Sequence, residues 1–120
     1  MTVIDQQVAE RTPAAAEQRA FRRQPIRLAA SFTAGGAGHA CEIRDFCPGG
    51  MLLVYAGTES LGVLPTIGEA IALSCEVPTG GGPVRLQFKA RIVRSDGRGA
   101  GVALLRPRTE DLRTLQEFAR

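Results

Sequence analysis

A chain of 120 residues in which 44% of side chains are hydrophobic and 22% are charged has the size and composition of one globular domain. This length excludes a second domain of ordinary size, and this composition excludes wholesale disorder. The net charge of +3 is modest, but 14 of the 15 basic residues are arginine, whose planar guanidinium suits bidentate contact with phosphate or a guanine edge. A genome rich in G and C explains the general arginine bias equally well, but it does not explain the local cluster of Arg22, Arg23 and Arg27.

The cysteines and the single histidine offer little basis for catalysis or metal binding. Cys41, Cys47 and Cys75 are odd in number and lack both a disulfide framework and the short paired spacings of structural zinc. No third orienting group accompanies His39, so we expect no enzyme, no metal site and no resident cofactor. The N-terminus lacks the apolar run of a signal peptide, and no run approaches the roughly 18 residues of a membrane span. We therefore expect a cytoplasmic protein that does not insert into a membrane.

Along the chain, residues 1–20 are interpreted as a flexible N-terminal tail, with a loose helix against the domain or a partner as the open alternative. The domain is predicted to span residues 21–120. Apolar alternation and turn residues predict six strands in this domain, at 26–33, 39–44, 51–55, 69–77, 84–95 and 100–105. Residues 57–68 are expected to form an irregular connection, and a single helical turn within it is an open alternative.

The last segment is predicted to be helical, with Thr109 as its N-cap and Leu112, Leu115 and Phe118 forming an apolar stripe that packs on the sheet. In the fifth strand we expect Leu86, Phe88, Ala90 and Ile92 to share one face, and Arg94 is an open candidate for the same face. Six short strands with tight turns and a terminal helix predict a mainly β fold, a small six-stranded antiparallel β-barrel with a C-terminal α-helix.

Two segments carry the chemistry of a candidate ligand site. Residues 23–27 form an R-x-x-x-R pattern that enters the first strand, and residues 45–50 form a D-x-[small]-x-x-G pattern between the second and third strands. We expect the second pattern to be a turn that closes one strand and opens the next. One segment supplies cations and the other supplies acceptors, which together suit an anionic ligand that carries donor groups.

With both patterns in this order, and with a Gly-Val-Ala-Leu strand near the end, residues 21–119 resemble the PilZ family of bacterial cyclic di-GMP receptors. The resemblance implies that Arg23 and Arg27 grip phosphate and guanine and that Arg22 is a third contact. It implies that Asp45 accepts hydrogen bonds from a guanine edge. Gly50 would allow close backbone approach or a turn conformation that larger residues avoid.

Cys47 is the main departure from the family pattern, which usually has serine at this position. A thiol is a poorer donor than a hydroxyl, so we expect reduced affinity at most, and we interpret Cys47 as a small hydrophobic residue at a turn. Arg44, Arg94 and Arg98 are further candidate contacts, although a solvated surface charge is the simpler interpretation of each.

The resemblance predicts a non-catalytic cyclic di-GMP receptor or adaptor that changes the conformation of its N-terminal segment and signals to an unidentified downstream protein. The alternative is a PilZ-like adaptor for protein–protein interaction that does not bind the nucleotide. Nucleic acid is not an expected partner, because exposed aromatic residues interleaved with basic ones are lacking. A monomer or weak dimer is expected.

Overall fold

The computed structural model of the protein describes residues 23–56 and 65–119, and this part of the chain is mainly β. Six strands close into an antiparallel barrel with one C-terminal helix, which confirms the predicted fold class. The strands are β1 (Gln24–Ala34), β2 (Ala37–Cys47), β3 (Gly50–Tyr55), β4 (Ala70–Val77), β5 (Val84–Ser95) and β6 (Gly99–Leu104), and the helix is α1 (Thr109–Ala119). Around the barrel the order is β1, β2, β3, β6, β5, β4, and β4 pairs with β1 to close the ring.

The core is formed by alternate residues of each strand. The predicted alternation in β4 and β5 is confirmed, since every second residue is buried up to Ile92. Phe32, Ile43 and Met51, from three other strands, are at most 1% exposed. Full burial of such a side chain contributes about 1.5–3 kcal/mol. A slip of one residue would turn these side chains to solvent, so the pattern itself holds the register of the barrel.

β2 is longer than its sequence suggests. The sequence predicts a strand over 39–44 and a turn over 45–50, whereas β2 extends to Cys47. Asp45 pairs with Leu52 and Cys47 pairs with Gly50, so the predicted six-residue turn is wrong and only Pro48 and Gly49 join the two strands. The glycines of this segment suggest a long turn, but the hydrogen-bond ladder with β3 continues through Asp45.

The turn between β1 and β2 is also tighter than its five small residues suggest. Gly35 and Gly36 have φ angles of 60° and 82°, and the pair joins the strands directly. Positive φ at both central residues is the requirement of a type I′ hairpin turn, which glycine meets without strain.

Three register shifts interrupt the ladders of the barrel. They lie between Pro25 and Leu28 in β1, between Ile43 and Asp45 in β2, and between Ile92 and Arg94 in β5. A β-bulge of this kind inserts a residue into one strand and re-aims the side chains around it.

The bulges in β2 and β5 bring extra polar side chains to the outer face. In β2, Arg44 and Asp45 are both partly exposed, although strict alternation would bury one of them. In β5, Val93 and Arg94 are both exposed. The expectation that Arg94 continues the inward face of this strand is therefore wrong, because the bulge at Val93 reverses the alternation.

α1 packs against β1 and β4. Leu115 is fully buried, and Leu112 and Phe118 are partly buried against the core, so the predicted apolar stripe is confirmed. The prediction that Thr109 is the N-cap is wrong by one residue. The carbonyl of Arg108 accepts from the backbone N–H groups of Asp111 and Leu112, so Arg108 caps the helix and Thr109 is its first helical residue.

Some predicted features lie outside the described residues, namely Arg22, the predicted tail at 1–20 and most of the connection at 57–68. Within the described residues, no helix is long and apolar enough to cross a membrane.

Candidate functional site

A row of four outward residues crosses the barrel surface and forms the base of the candidate site. Asp45 of β2 lies opposite Leu52 of β3, Leu52 lies opposite Gly101 of β6, and Gly101 lies opposite Arg94 of β5. Adjacent strands are about 4.8 Å apart, so the row spans roughly 14 Å from Asp45 to Arg94. This places a carboxylate at one end, a guanidinium at the other and an apolar floor between them.

Gly101 allows Arg94 to lie across this floor. A Cβ built on Gly101 would be 3.6 Å from both Nε and Nη2 of Arg94, so the guanidinium covers the space that a side chain would occupy. Arg94 forms no salt bridge with a carboxylate of the described residues. The pKa of Asp96 is lowered mainly by hydrogen bonds from the backbone N–H groups of Arg98 and Gly99, and the charge of Arg94 adds only a smaller effect. Arg94 is thus a cation beside the floor that is available to an anionic ligand.

Arg23 and Asp45, one from each sequence pattern, are in direct contact. Nε of Arg23 donates to Oδ1 of Asp45 at 2.8 Å, and Nη2 lies 2.7 Å from the same oxygen. The register of β1 and β2 brings them together, because Pro25, two residues after Arg23, pairs with Asp45. The structure therefore joins one residue from each pattern, Arg23 and Asp45, which are 22 positions apart in the sequence.

Cys47 belongs to the same group of contacts. It is half-buried at the end of β2, and its Sγ lies 3.7 Å from Nη1 of Arg23. The thiol is therefore a weak acceptor beside the site rather than only a small hydrophobic residue at a turn.

Arg27 and Arg44 converge on a carboxylate that sequence reasoning missed. Nη2 of Arg27 lies 3.6 Å from Oε1 of Glu42, and Nε of Arg44 donates to the same oxygen. The hydrogen bond from Arg44 is the largest effect on the pKa of Glu42 and lowers it. Burial opposes this shift, and the charges of Arg27 and Arg44 add to it, so the net pKa is lowered. Glu42 is therefore a charged partner for two of the arginines at the site.

Two surface grooves meet at Asp45 and Leu52. The first has a volume of about 540 Å³ and is lined by Arg23, Asp45, Met51, Leu52, Val93, Arg94, Gly101 and Val102. The second, of about 500 Å³, is lined by Pro25, Ile26, Arg27, Arg44, Asp45 and Leu52. Each of the three bulges contributes residues to one of these grooves.

Gly50 lies under the site rather than on its surface. It is buried, and a Cβ at this position would be 2.6 Å from the carbonyl oxygen of Val102. The close backbone approach that requires glycine is therefore one between β3 and β6. Its φ is not positive, so no special turn conformation is involved.

Of the predicted site residues, Arg23 thus contacts both Asp45 and Cys47, and Arg27 lines the neighbouring groove. Glu42 and the grouping of Arg27 with Arg44 were missed, although Glu42 and Arg44, two residues apart on a strand, share a face in any reading of that strand. The position of Arg94 depends on a bulge, which has no local sequence signal.

The remaining cysteines and His39 lie away from the grooves. Burial raises the pKa of Cys41 to about 12 and that of Cys75 to about 11, so both thiols are protonated at neutral pH. His39 is half-buried within β2, with its ring centroid 5.1 Å from that of Phe32. No group of three or more potential metal-ligating side chains occurs among residues 23–56 and 65–119.

Residues 17–120 match the PilZ domain family, and the chain belongs to this family. The match includes every strand and the helix described above, and it begins within the stretch predicted as a tail. No curated protein matches the sequence.

Three solved structures resemble the fold. The inhibitor of motility MotI/DgrA from Bacillus subtilis has a TM-score of 0.64 and 15% identity, over 85% of this chain and 49% of that one. The PilZ domain of CeSA from a cellulose-synthesizing bacterium has a TM-score of 0.57 and 17% identity, over 82% and 94%. PlzA from Borreliella burgdorferi, in complex with c-di-GMP, has a TM-score of 0.53 and 18% identity, over 82% and 40%. The chain thus spans about half the length of MotI/DgrA, and these likenesses show the fold.

Proposed function

We propose that the protein is a non-catalytic receptor for cyclic di-GMP, which docks over Asp45 and Leu52 between the two grooves. The observation that carries this proposal is the position of Asp45, which lines both grooves and lies between Arg23 on one side and Arg27 on the other. Membership of the PilZ family supports the choice of ligand, as does the fold shared with a protein solved in complex with c-di-GMP.

The chemistry of the ligand matches the groups at the site. Cyclic di-GMP carries two phosphodiesters, which need cations, and two guanines, which need donors at O6 and N7 and acceptors at N1 and N2. Arg22, Arg23 and Arg27 supply guanidinium donors for phosphate and for the guanine edge. Asp45 accepts from guanine N1 and N2, and Leu52 and Gly101 form the floor beneath the rings. Each charge-assisted hydrogen bond contributes about 1.5–3 kcal/mol.

The ligand is bound and released unchanged in this proposal. Arginine side chains remain protonated in proteins, so they act as donors and positive charges rather than as proton-transfer groups. Asp45 serves as an acceptor for the guanine edge, and no covalent step is assigned to it.

Signalling is proposed to run through the N-terminal segment to an unidentified downstream protein in the cytoplasm. Arg23 is the first described residue and immediately precedes β1, so a ligand that draws Arg22 and Arg23 toward its phosphates changes the direction of the preceding chain. Gln24 and Pro25 are paired with β2, so β1 provides the fixed point of this change. A change of this kind alters the surface that the segment presents to a partner.

Calorimetry with cyclic di-GMP tests the ligand assignment. We expect the wild-type chain to bind with a Kd on the order of 1 µM, and Arg23→Ala or Arg27→Ala to weaken binding by roughly 10- to 100-fold. Arg113→Ala removes an exposed arginine of α1 that lines neither groove and is the matched control. If the wild-type chain binds no ligand, or if Arg27→Ala and Arg113→Ala bind equally well, the receptor assignment fails and an adaptor that does not bind the nucleotide replaces it.

A further inference from the structure

Glu42 is the one carboxylate that contacts the arginines of the second groove, within the described residues. Its Oε1 is shared by Arg27 and Arg44, both of which line that groove. The residues directly opposite Glu42 are Ala29 on β1 and Val54 on β3, and neither has a donor side chain. The side-chain partners of Glu42 are therefore the two arginines, Arg44 on the same strand and Arg27 on β1.

Glu42 and Asp45 differ in whether they line the grooves proposed for the ligand. Asp45 also neutralises an arginine, but it lines both grooves and has acceptor atoms for the guanine edge. Glu42 lines neither groove, and its ion-pair partners are Arg27 and Arg44. A phosphodiester that binds Arg27 and Arg44 therefore competes with another negative group, the Glu42 carboxylate, for the same guanidinium groups.

We propose that Glu42 is an intramolecular competitor for the phosphate of the ligand, whose carboxylate occupies Arg27 and Arg44 and so sets the affinity of the site. This inference rests on the proposed function and names the regulation of the same site. Binding of an anion exchanges the Glu42 carboxylate for phosphate on Arg27 and Arg44. The affinity is thus lower than the number of arginines implies, and the domain responds only when its ligand is abundant.

The exposure of the three side chains makes the exchange feasible. The side chains of Arg27 and Arg44 are 73% and 40% exposed, and that of Glu42 is 33% exposed. Ion pairs at such exposure are weak because water screens them, so a phosphodiester can replace the carboxylate, and the competition lowers the affinity only modestly. The hydrogen bond from Arg44 lowers the pKa of the Glu42 carboxyl, which is consistent with a charged competitor at neutral pH.

Glu42→Gln is the test variant, since it removes the charge and keeps the shape and an acceptor oxygen. We expect it to bind cyclic di-GMP about threefold to tenfold more tightly than the wild-type chain, and Glu42→Asp to lie nearer to wild type. Glu76→Gln makes the same change of net charge at an exposed position of β4 that lines neither groove, and it should leave the affinity unchanged. Thermal unfolding of each variant checks that the fold is retained.

Equal or weaker binding by Glu42→Gln overturns the proposal. Weaker binding would mean that Glu42 holds Arg27 and Arg44 in place for the ligand, rather than competing with it. Tighter binding that Glu76→Gln reproduces would mean that the effect is one of net charge, and it would also overturn the proposal.

A titration with inorganic pyrophosphate separates this inference from the choice of nucleotide. The probe carries the anionic chemistry without guanine, and the Nε–H signals of Arg27 and Arg44 in nitrogen-15 NMR spectra report its binding. We expect these signals to respond at a pyrophosphate concentration about threefold to tenfold lower in Glu42→Gln than in wild type. If cyclic di-GMP binds to no variant, the proposed function fails, and this titration still decides the role of Glu42. An unchanged concentration dependence would overturn it.

Discussion

Arg23 bonds to Asp45 through two of its nitrogens, Nε at 2.8 Å and Nη2 at 2.7 Å, and both reach the single oxygen Oδ1. An ionised carboxylate has two oxygens and about four lone-pair acceptor sites. Asp45 can therefore orient the guanidinium of Arg23 and still offer an acceptor to a guanine edge. The two sequence patterns act as one unit at this contact.

Substitution of Asp45 should separate its two roles. Asp45→Asn keeps an acceptor oxygen and loses the charge, so we expect cyclic di-GMP affinity to fall by about threefold to tenfold. Asp45→Ala removes the acceptor as well, so it should lower the affinity by at least about a further threefold. The side chains of Arg23 and Asp45 are 50% and 26% exposed, so neither variant should lose more than about 1 kcal/mol of unfolding free energy. Calorimetry and urea unfolding measure the two quantities, and equal affinity of all three proteins would contradict the role of Asp45.

Substitution of Gly101 tests whether Arg94 contacts the ligand in the first groove. Gly101→Ala places a Cβ at an ordinary contact distance of 3.6 Å from the guanidinium, so binding should change little. Compared with alanine, Gly101→Val adds two further methyl groups in the space that Arg94 covers. This variant should therefore displace the Arg94 side chain. We expect the affinity of Gly101→Val to fall by about tenfold, the loss of one charge-assisted bond, and Arg94→Ala to match it. Calorimetry that finds Gly101→Val equal to Gly101→Ala would exclude Arg94 as a ligand contact.

The role of Gly50 can be separated from ligand contact by measuring stability. A Cβ on Gly50 would lie 2.6 Å from the Val102 carbonyl oxygen, so Gly50→Ala should destabilise the barrel by about 1–3 kcal/mol. A Cβ on Gly49 meets nothing within 4 Å, so Gly49→Ala is the matched control and should be close to neutral. Urea unfolding measures both variants. If Gly50→Ala keeps its stability and loses only ligand binding, the glycine is needed by the ligand rather than by the strand pairing.

Thiol reactivity should distinguish Cys47 from the other two cysteines. Burial raises the pKa of Cys41 to about 12 and of Cys75 to about 11, so at pH 8 the folded protein holds both as unreactive thiols. Cys47 is half-exposed beside Arg23. We expect a disulfide reagent such as DTNB to modify one cysteine per folded chain and three after unfolding. Cys47→Ser should remove the fast reaction, and equal rates at two or three cysteines in the folded wild type would contradict this description.

The barrel could be predicted from the sequence because its determinants are local. Ile71, Leu73 and Cys75 alternate with more exposed residues in β4, and short glycine-containing turns separate β1 from β2, β2 from β3, β4 from β5 and β5 from β6. These two features define the strands and their inward faces without reference to the partner strand. The complementary chemistry of residues 23–27 and 45–50 suggested that the two segments come together, and in the structure Arg23 contacts Asp45.

The rest of the site depends on strand pairing, which no local pattern encodes. The bulge at Val93 turns Arg94 outward because β5 and β6 shift register there, and alternation alone predicts the opposite. The contact between Arg27 and Glu42 likewise arises from the register of β1 and β2 around the bulge that follows Pro25. A bulge changes which side chains share a face without any distinctive residue at the site of insertion.

A nitrogen-15 NMR titration of the domain with cyclic di-GMP tests the central claim most directly, because it locates the ligand as well as detecting it. We expect the largest backbone amide shifts at Asp45, Leu52, Val93 and Gly101, which line the two grooves, and little change along β4. Shifts that centre elsewhere, for example on the groove lined by Lys89, Arg106 and Arg108, would contradict the assigned site. The absence of any shift at saturating ligand would contradict the receptor function itself.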